Sequence, residues 1–124
     1  MNTKAFVVLA LFVSVQAYAQ SSPKDFPPDS TPLAETAIQE NFSGKTFTVK
    51  PASGPTWKWQ FKTDGYFFFS TSDGFSDSGK WNAKENKLCT EGRRMGASCN
   101  EIRKKDAILY YKRDNGDIVE MLLQ

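Results

Sequence analysis

Hydrophobic and polar positions follow two different periods along this chain, and the change comes at Gly44. Before it, Leu33, Ala37 and Ile38 fall on one helical face. Thr31 has the character of an N-cap, Pro32 that of a first helical residue, and Ser43-Gly44 that of a stop, which predicts one short amphipathic helix over 32–42. Beyond Gly44 apolar and polar residues alternate, and turn signals recur at 51–55, Asp64-Gly65, Asp73-Gly74, 83–86, 92–97, 104–106 and Asn115-Gly116. Short strands are predicted near 45–50, 56–62, 66–72, 77–82, 87–91, 98–103, 107–113 and 117–123. Their close connections leave no room for crossover helices, so a parallel sheet is excluded. The fold class is all-β with one short N-terminal helix, an antiparallel meander forming a small barrel or sandwich.

The hairpin at Asp64-Gly65 sets the faces of the aromatic strands. A two-residue turn pairs Thr63 with Tyr66, Phe61 with Phe68, Trp59 with Ser70 and Trp57 with Ser72. Cross-strand partners share a face, so Trp57, Trp59, Phe61, Tyr66 and Phe68 become core, whereas Phe67 and Phe69 lie outside among Lys58, Gln60 and Lys62. A three- or four-residue turn changes this pairing. With the two-residue turn, the outer Phe67 and Phe69 patch suits the apolar face of the 32–42 helix, docked through Leu33, Ala37 and Ile38. Left uncovered, it is a partner-binding candidate.

Upstream of the β-region the composition changes the picture. Lys4, the apolar run Ala5–Val15 and Ala17-Tyr18-Ala19 read as a signal peptide over 1–19 with a small-x-small cleavage site. No cysteine stands at that site, so no lipid anchor and no stable membrane attachment are expected. The Pro- and Ser-rich stretch 20–31 reads as a flexible tether, and 32–124 as a single β-domain. A periplasmic or secreted protein follows, and Cys89 and Cys99, the two cysteines of the chain, are expected to form one disulfide.

Charge narrows the functional classes. The chain carries 16 Lys and Arg against 14 Asp and Glu, too even a balance for bulk attraction to nucleic acid or membrane. The cations concentrate between Lys80 and Arg113. If the strand after Cys99 runs away from the disulfide loop and the next runs back, Arg93, Arg94, Met95, Lys112 and Arg113 gather at one end, with Lys104 and Lys105 at the other. That division argues against a nucleic-acid track, and arginine at a stapled loop suits a protein interface.

With no histidine in the chain, Ser-His-Asp and Cys-His arrangements cannot be built, and a metal site lacks its usual ligands. Glu91, Glu101, Asp64, Asp73 and Asp77 are carboxylates available for acid-base work, yet each sits in or beside a turn, where a solvated acid is the simpler reading. The 72–77 oxygen cluster departs from the EF-hand spacing, and a hairpin turn explains it. No cofactor and no enzymatic activity are expected.

Ser43-Gly44-Lys45-Thr46, Asp64-Gly65-Tyr66, Ser78-Gly79-Lys80-Trp81, Leu88-Cys89 and Cys99 together resemble a group of small exported bacterial proteins of unknown function, in which a G-x-W strand precedes an L-C pair and a second cysteine. The resemblance spans about 43–99 and implies a lipocalin-like β-barrel with a disulfide, without implying an activity. Taken together, these readings lead to an exported non-enzymatic domain that contacts a protein partner in the cell envelope or outside the cell, as an inhibitor or immunity-type protein. The alternative is a carrier of a small apolar ligand, with the tryptophans lining the barrel.

Overall fold

A computed structural model describes residues 23–124; the expected signal peptide and the first residues of the tether lie outside this range. After a two-residue strand β1 (Thr31–Pro32) and helix α1 (Glu35–Phe42) come eight strands: β2 (Lys45–Val49), β3 (Trp57–Phe61), β4 (Tyr66–Thr71), β5 (Ser76–Lys84), β6 (Lys87–Gly92), β7 (Gly96–Lys105), β8 (Ile108–Lys112) and β9 (Ile118–Leu123). Each of these eight pairs antiparallel with the next, and β9 returns to β2 through Phe47 opposite Leu123. The result is a closed eight-stranded up-and-down barrel with β1 added to the edge of β7, which resolves the choice between barrel and sandwich. Closure leaves the meander without a long unpaired edge.

The β3–β4 turn overturns the two-residue hairpin. Of Asp64 and Gly65 only Gly65 takes a positive φ, +86°, whereas a two-residue type I′ turn needs both residues there. Lys62 N–H donates to the Tyr66 carbonyl at 2.8 Å and Gly65 N–H to the Lys62 carbonyl at 3.2 Å, a three-residue turn with glycine at its last position. Phe61 therefore pairs with Phe67, Trp59 with Phe69 and Trp57 with Thr71. A slip of one residue exchanges the faces of a strand. Phe67 and Phe69, expected on the outer surface, are 0% and 8% exposed inside the barrel, whereas Tyr66 and Phe68, expected in the core, are 46% and 51% exposed. By contrast Glu85 and Asn86 both take positive φ (51° and 59°), and there a two-residue turn joins Lys84 to Lys87.

Helix α1 begins later than expected and docks elsewhere. Thr31 and Pro32 are extended, paired with Lys104 and Arg103 of β7, and Leu33 N–H continues this ladder to the Ile102 carbonyl at 3.0 Å. The first turn is instead capped from the β5–β6 turn, where Asn86 Oδ1 accepts from Glu35 N–H at 3.2 Å. Since Phe67 and Phe69 are inside, the helix has no outer patch to cover. It closes one end of the barrel, with Ile38 and Phe42 fully buried and the Phe42 ring 5.1 Å from Phe47 and 5.0 Å from Phe61. The stretch read as a tether also lies against the barrel from residue 23 onward. Ile118 N–H donates to the Pro23 carbonyl, Lys24 pairs with Asp117, and the Arg103 guanidinium sits 4.6 Å from the Phe26 ring centre. Among the described residues no helix is long and apolar enough to cross a membrane.

The register yields a paired expectation for urea denaturation. Phe67→Ala should destabilise the protein by about 3–5 kcal/mol through lost burial and a residual cavity, whereas Phe68→Ala one position away should stay within about 0.5 kcal/mol. A large loss at Phe68 and a small one at Phe67 would restore the two-residue turn.

Candidate binding surfaces at the open end of the barrel

With α1 filling one end, the strand register places the 50–56, 72–75, 93–95 and 113–117 connections at the other. Here inward residues one pleat above the packed centre surround a cavity of about 490 Å³, walled by Trp57, Trp59, Phe69 and Tyr111 and rimmed by Met95 and Arg113. The rings pack edge to face: Trp59 lies 5.4 Å from both Phe69 and Tyr111, and Trp57 5.6 Å from Phe69. Burial, with the Asp114 charge nearby, pushes the Tyr111 hydroxyl well above the usual phenol range, so it stays protonated at neutral pH.

The β6–β7 turn is held from within. Asp77 is buried on the inner side of β5, and its carboxylate accepts from Met95 N–H at 2.9 Å, from Arg94 N–H at 3.2 Å and from Ser78 N–H at 2.8 Å. Gly92 makes room for it: a β-carbon there would stand 2.3 Å from Asp77 Oδ2. Burial raises the Asp77 pKa, but the backbone N–H groups of Met95, Ser78 and Arg94 and the Arg94 charge outweigh it and hold the carboxyl below its ordinary 3.8. This acid organises a loop.

Of the other candidate carboxylates, Glu91 is exposed on β6 and the remaining three are engaged. Asp73 is bound by the Thr71 hydroxyl and lies 3.4 Å from Phe75 N–H, which together lower its pKa. Asp64 accepts from Tyr66 N–H at 3.1 Å and faces Lys62 at 3.7 Å, and Glu101 pairs with Arg103 at 3.0 Å. Among the described residues no three or more His, Cys, Asp or Glu side chains converge as a metal site.

The basic residues expected at one loop separate into three settings. Arg94 folds back, its guanidinium 4.5 Å from the Phe75 ring centre and bonded to the Ser76 carbonyl at 3.2 Å. Arg93 and Arg94 border a groove of about 570 Å³ on the outer face of β3–β5, with Lys58, Gln60, Phe68 and Ser70. Arg113 turns to the barrel mouth, 4.9 Å from the Trp57 ring centre. Lys112 alternates with the inward Leu109 and Tyr111, so it belongs to the outer wall of β8, away from both.

Beside it, Asn100, 4% exposed, donates to the Lys112 carbonyl and to Asp114 at 2.8 Å each, tying the β8–β9 turn to β7. Cys89 and Cys99 stand directly opposite on β6 and β7 and are disulfide-bonded, with Cys99 exposed on the outer wall. The bond fits an oxidising, non-cytoplasmic compartment.

Lys58 and Gln60 are on the outer face as expected, whereas Tyr66 and Phe68 of that face escaped the sequence reading because the two-residue hairpin register put both aromatics inside. Gly65 was the available signal, since a glycine after Thr63-Asp64 equally satisfies a three-residue turn. No family model, curated protein or solved structure matches the chain.

Two outcomes test this framework. Reducing the disulfide should destabilise the protein by about 2–4 kcal/mol, read from denaturation with and without reductant. Because the folded Asp77 pKa is depressed, its contribution is complete above the unfolded value and is lost as pH falls through the folded one. Wild-type stability should therefore drop below about pH 4 more steeply than that of Asp77→Asn, and parallel curves would remove Asp77 from the account.

Proposed function

We propose that the protein is an exported, non-enzymatic binding domain of the inhibitor or immunity type, which engages an acidic surface of a protein partner through the outer face of β3–β5 and the adjoining 93–95 turn. The observation that carries this reading is the exposure of Phe68 and Tyr66 on a face where cations outnumber acids. By register Lys58, Lys62, Lys80, Arg93 and Arg94 surround them, with Asp64 and Glu91 as the acids of that face and Asp64 already facing Lys62. Exposed aromatic rings supply contact area at low entropy cost, and arginine supplies charge-assisted hydrogen bonds to carboxylates. Asp77 holds the backbone of the turn before any partner arrives, which reduces the ordering cost of association.

A photo-reactive amino acid replacing Phe68 should cross-link an envelope or extracellular protein that the same group replacing Glu120, on β9, does not. With that protein purified, calorimetry should show Phe68→Ser and the double variant Arg93→Ala/Arg94→Ala each weakening binding by more than about 1 kcal/mol, with thermal stability nearly unchanged. Wild-type affinity in both variants would overturn the reading.

A further inference from the structure

The hollows on the outer face join into one track along β5. Three of them, of about 570, 320 and 570 Å³, lie end to end: the first shares Ser78 and Arg93 with the second, and the second shares Tyr66, Lys80 and Glu91 with the third. Their floor is the outward side of β5, where Ser76, Ser78, Lys80, Asn82 and Lys84 alternate with inward residues that include the buried Asp77 and Trp81. At the rise of a strand, ~3.3 Å per residue, this floor is about 26 Å long. Register sets the two walls. On one side Phe68 stands beside Ser78 and Tyr66 beside Lys80, both rings about half exposed. On the other side Arg94 is bonded to the Ser76 carbonyl, Arg93 N–H to the Ser78 carbonyl, and Glu91 is directly opposite Lys80. Successive rows of the track therefore carry Arg94, Arg93 and Lys80, opposite a wall of two aromatic rings.

We infer that the part of the protein partner bound here is an extended acidic segment of about eight residues, seated along β5 with acidic and uncharged side chains in alternation. The inference rests on the outer face being the binding surface, and adds the form of what that face binds. An extended chain advances ~6.8 Å for every two residues, which is the interval between rows on β5. Acids at every second position thus meet Arg94, Arg93 and Lys80 in turn, as charge-assisted hydrogen bonds require. The intervening side chains point to the opposite side, where Phe68 and Tyr66 offer apolar contact area. Glu91 selects a peptide over a more densely charged polymer, because a chain with an anion on every unit would bring one against it. A peptide presents a backbone N–H or an uncharged side chain at that point.

Two fluorescein-labelled octapeptides of equal composition and charge test the inference on the mature chain by fluorescence anisotropy: Glu-Thr repeated four times, and Glu-Glu-Thr-Thr repeated twice. Wild-type protein should bind the alternating peptide at one saturable site about five-fold more tightly than the blocked one, the effect of one net hydrogen bond. Lys80→Glu should weaken the alternating peptide by about ten-fold or more, whereas Lys112→Glu, the same change of charge on the outer wall of β8, should leave it within about two-fold. Equal affinities of the two peptides, absence of saturable binding, or equal losses in the two lysine variants would each overturn the inference. Tighter binding of oligothymidylate or of an oligogalacturonate of the same charge would overturn it too, in favour of another polyanion. If Phe68→Ser and Arg93→Ala/Arg94→Ala weaken the whole partner while the two peptides bind alike, the outer face remains a binding surface and the extended segment alone is rejected.

Discussion

The positive φ of Gly65 is the constraint on which the interior and the outer surface both depend. By closing a three-residue turn it pairs Phe61 with Phe67 and Trp59 with Phe69, bringing five aromatic side chains of one hairpin to the inner wall. The same choice places Tyr66 and Phe68 on the outer wall. Phe67 is thereby opposite Gly79 on β5, and Gly79 accommodates close backbone approach: a β-carbon there would stand 1.9 Å from the Glu91 carbonyl oxygen. Trp81, two residues on, anchors its indole to the carbonyl of Lys62 at the start of the same turn. Turn, glycine and tryptophan are one arrangement.

The two ends of the barrel differ because α1 fills only one of them. Phe42 completes a ring cluster with Phe47 and Phe61, while the same side-chain layering at the far end stops at Trp57, Phe69 and Tyr111 without an element to cover them. Polar groups there are instead used to fix turns. Asp77 holds the β6–β7 turn and Asn100 with Asp114 holds the β8–β9 turn, so two of the rim turns are tied down although the cavity is uncovered. Turns set in advance by such hydrogen bonds lower the ordering cost of recognition.

Placement of the disulfide follows the same logic. Cys89 and Cys99 are direct cross-strand partners on the outer wall, so the bond staples the hairpin that carries Arg93 and Arg94 without occupying interior volume. Its chain-entropy contribution therefore adds to the aromatic packing inside.

Several features were determined by the sequence alone. Turn residues at regular spacing delimited eight short strands, export-type composition and cysteine spacing gave the disulfide, and the missing crossover helices gave an antiparallel meander. These are local properties, set by backbone preference and chain length over a few residues. The run Tyr66-Phe67-Phe68-Phe69 carried no face information, because four aromatic residues in succession have no polar member to mark the outside. Only the tertiary structure decided which of them are buried. It likewise decided that Thr31 and Pro32 pair with β7 rather than start a helix, and that 23–30 lies on the barrel. Tertiary structure also made Asp77, one turn acid among several in the sequence, the organiser of a loop. Each depends on a partner distant in sequence, Lys104, Asp117 or Met95, and no local pattern encodes which distant group will be within reach once the barrel closes.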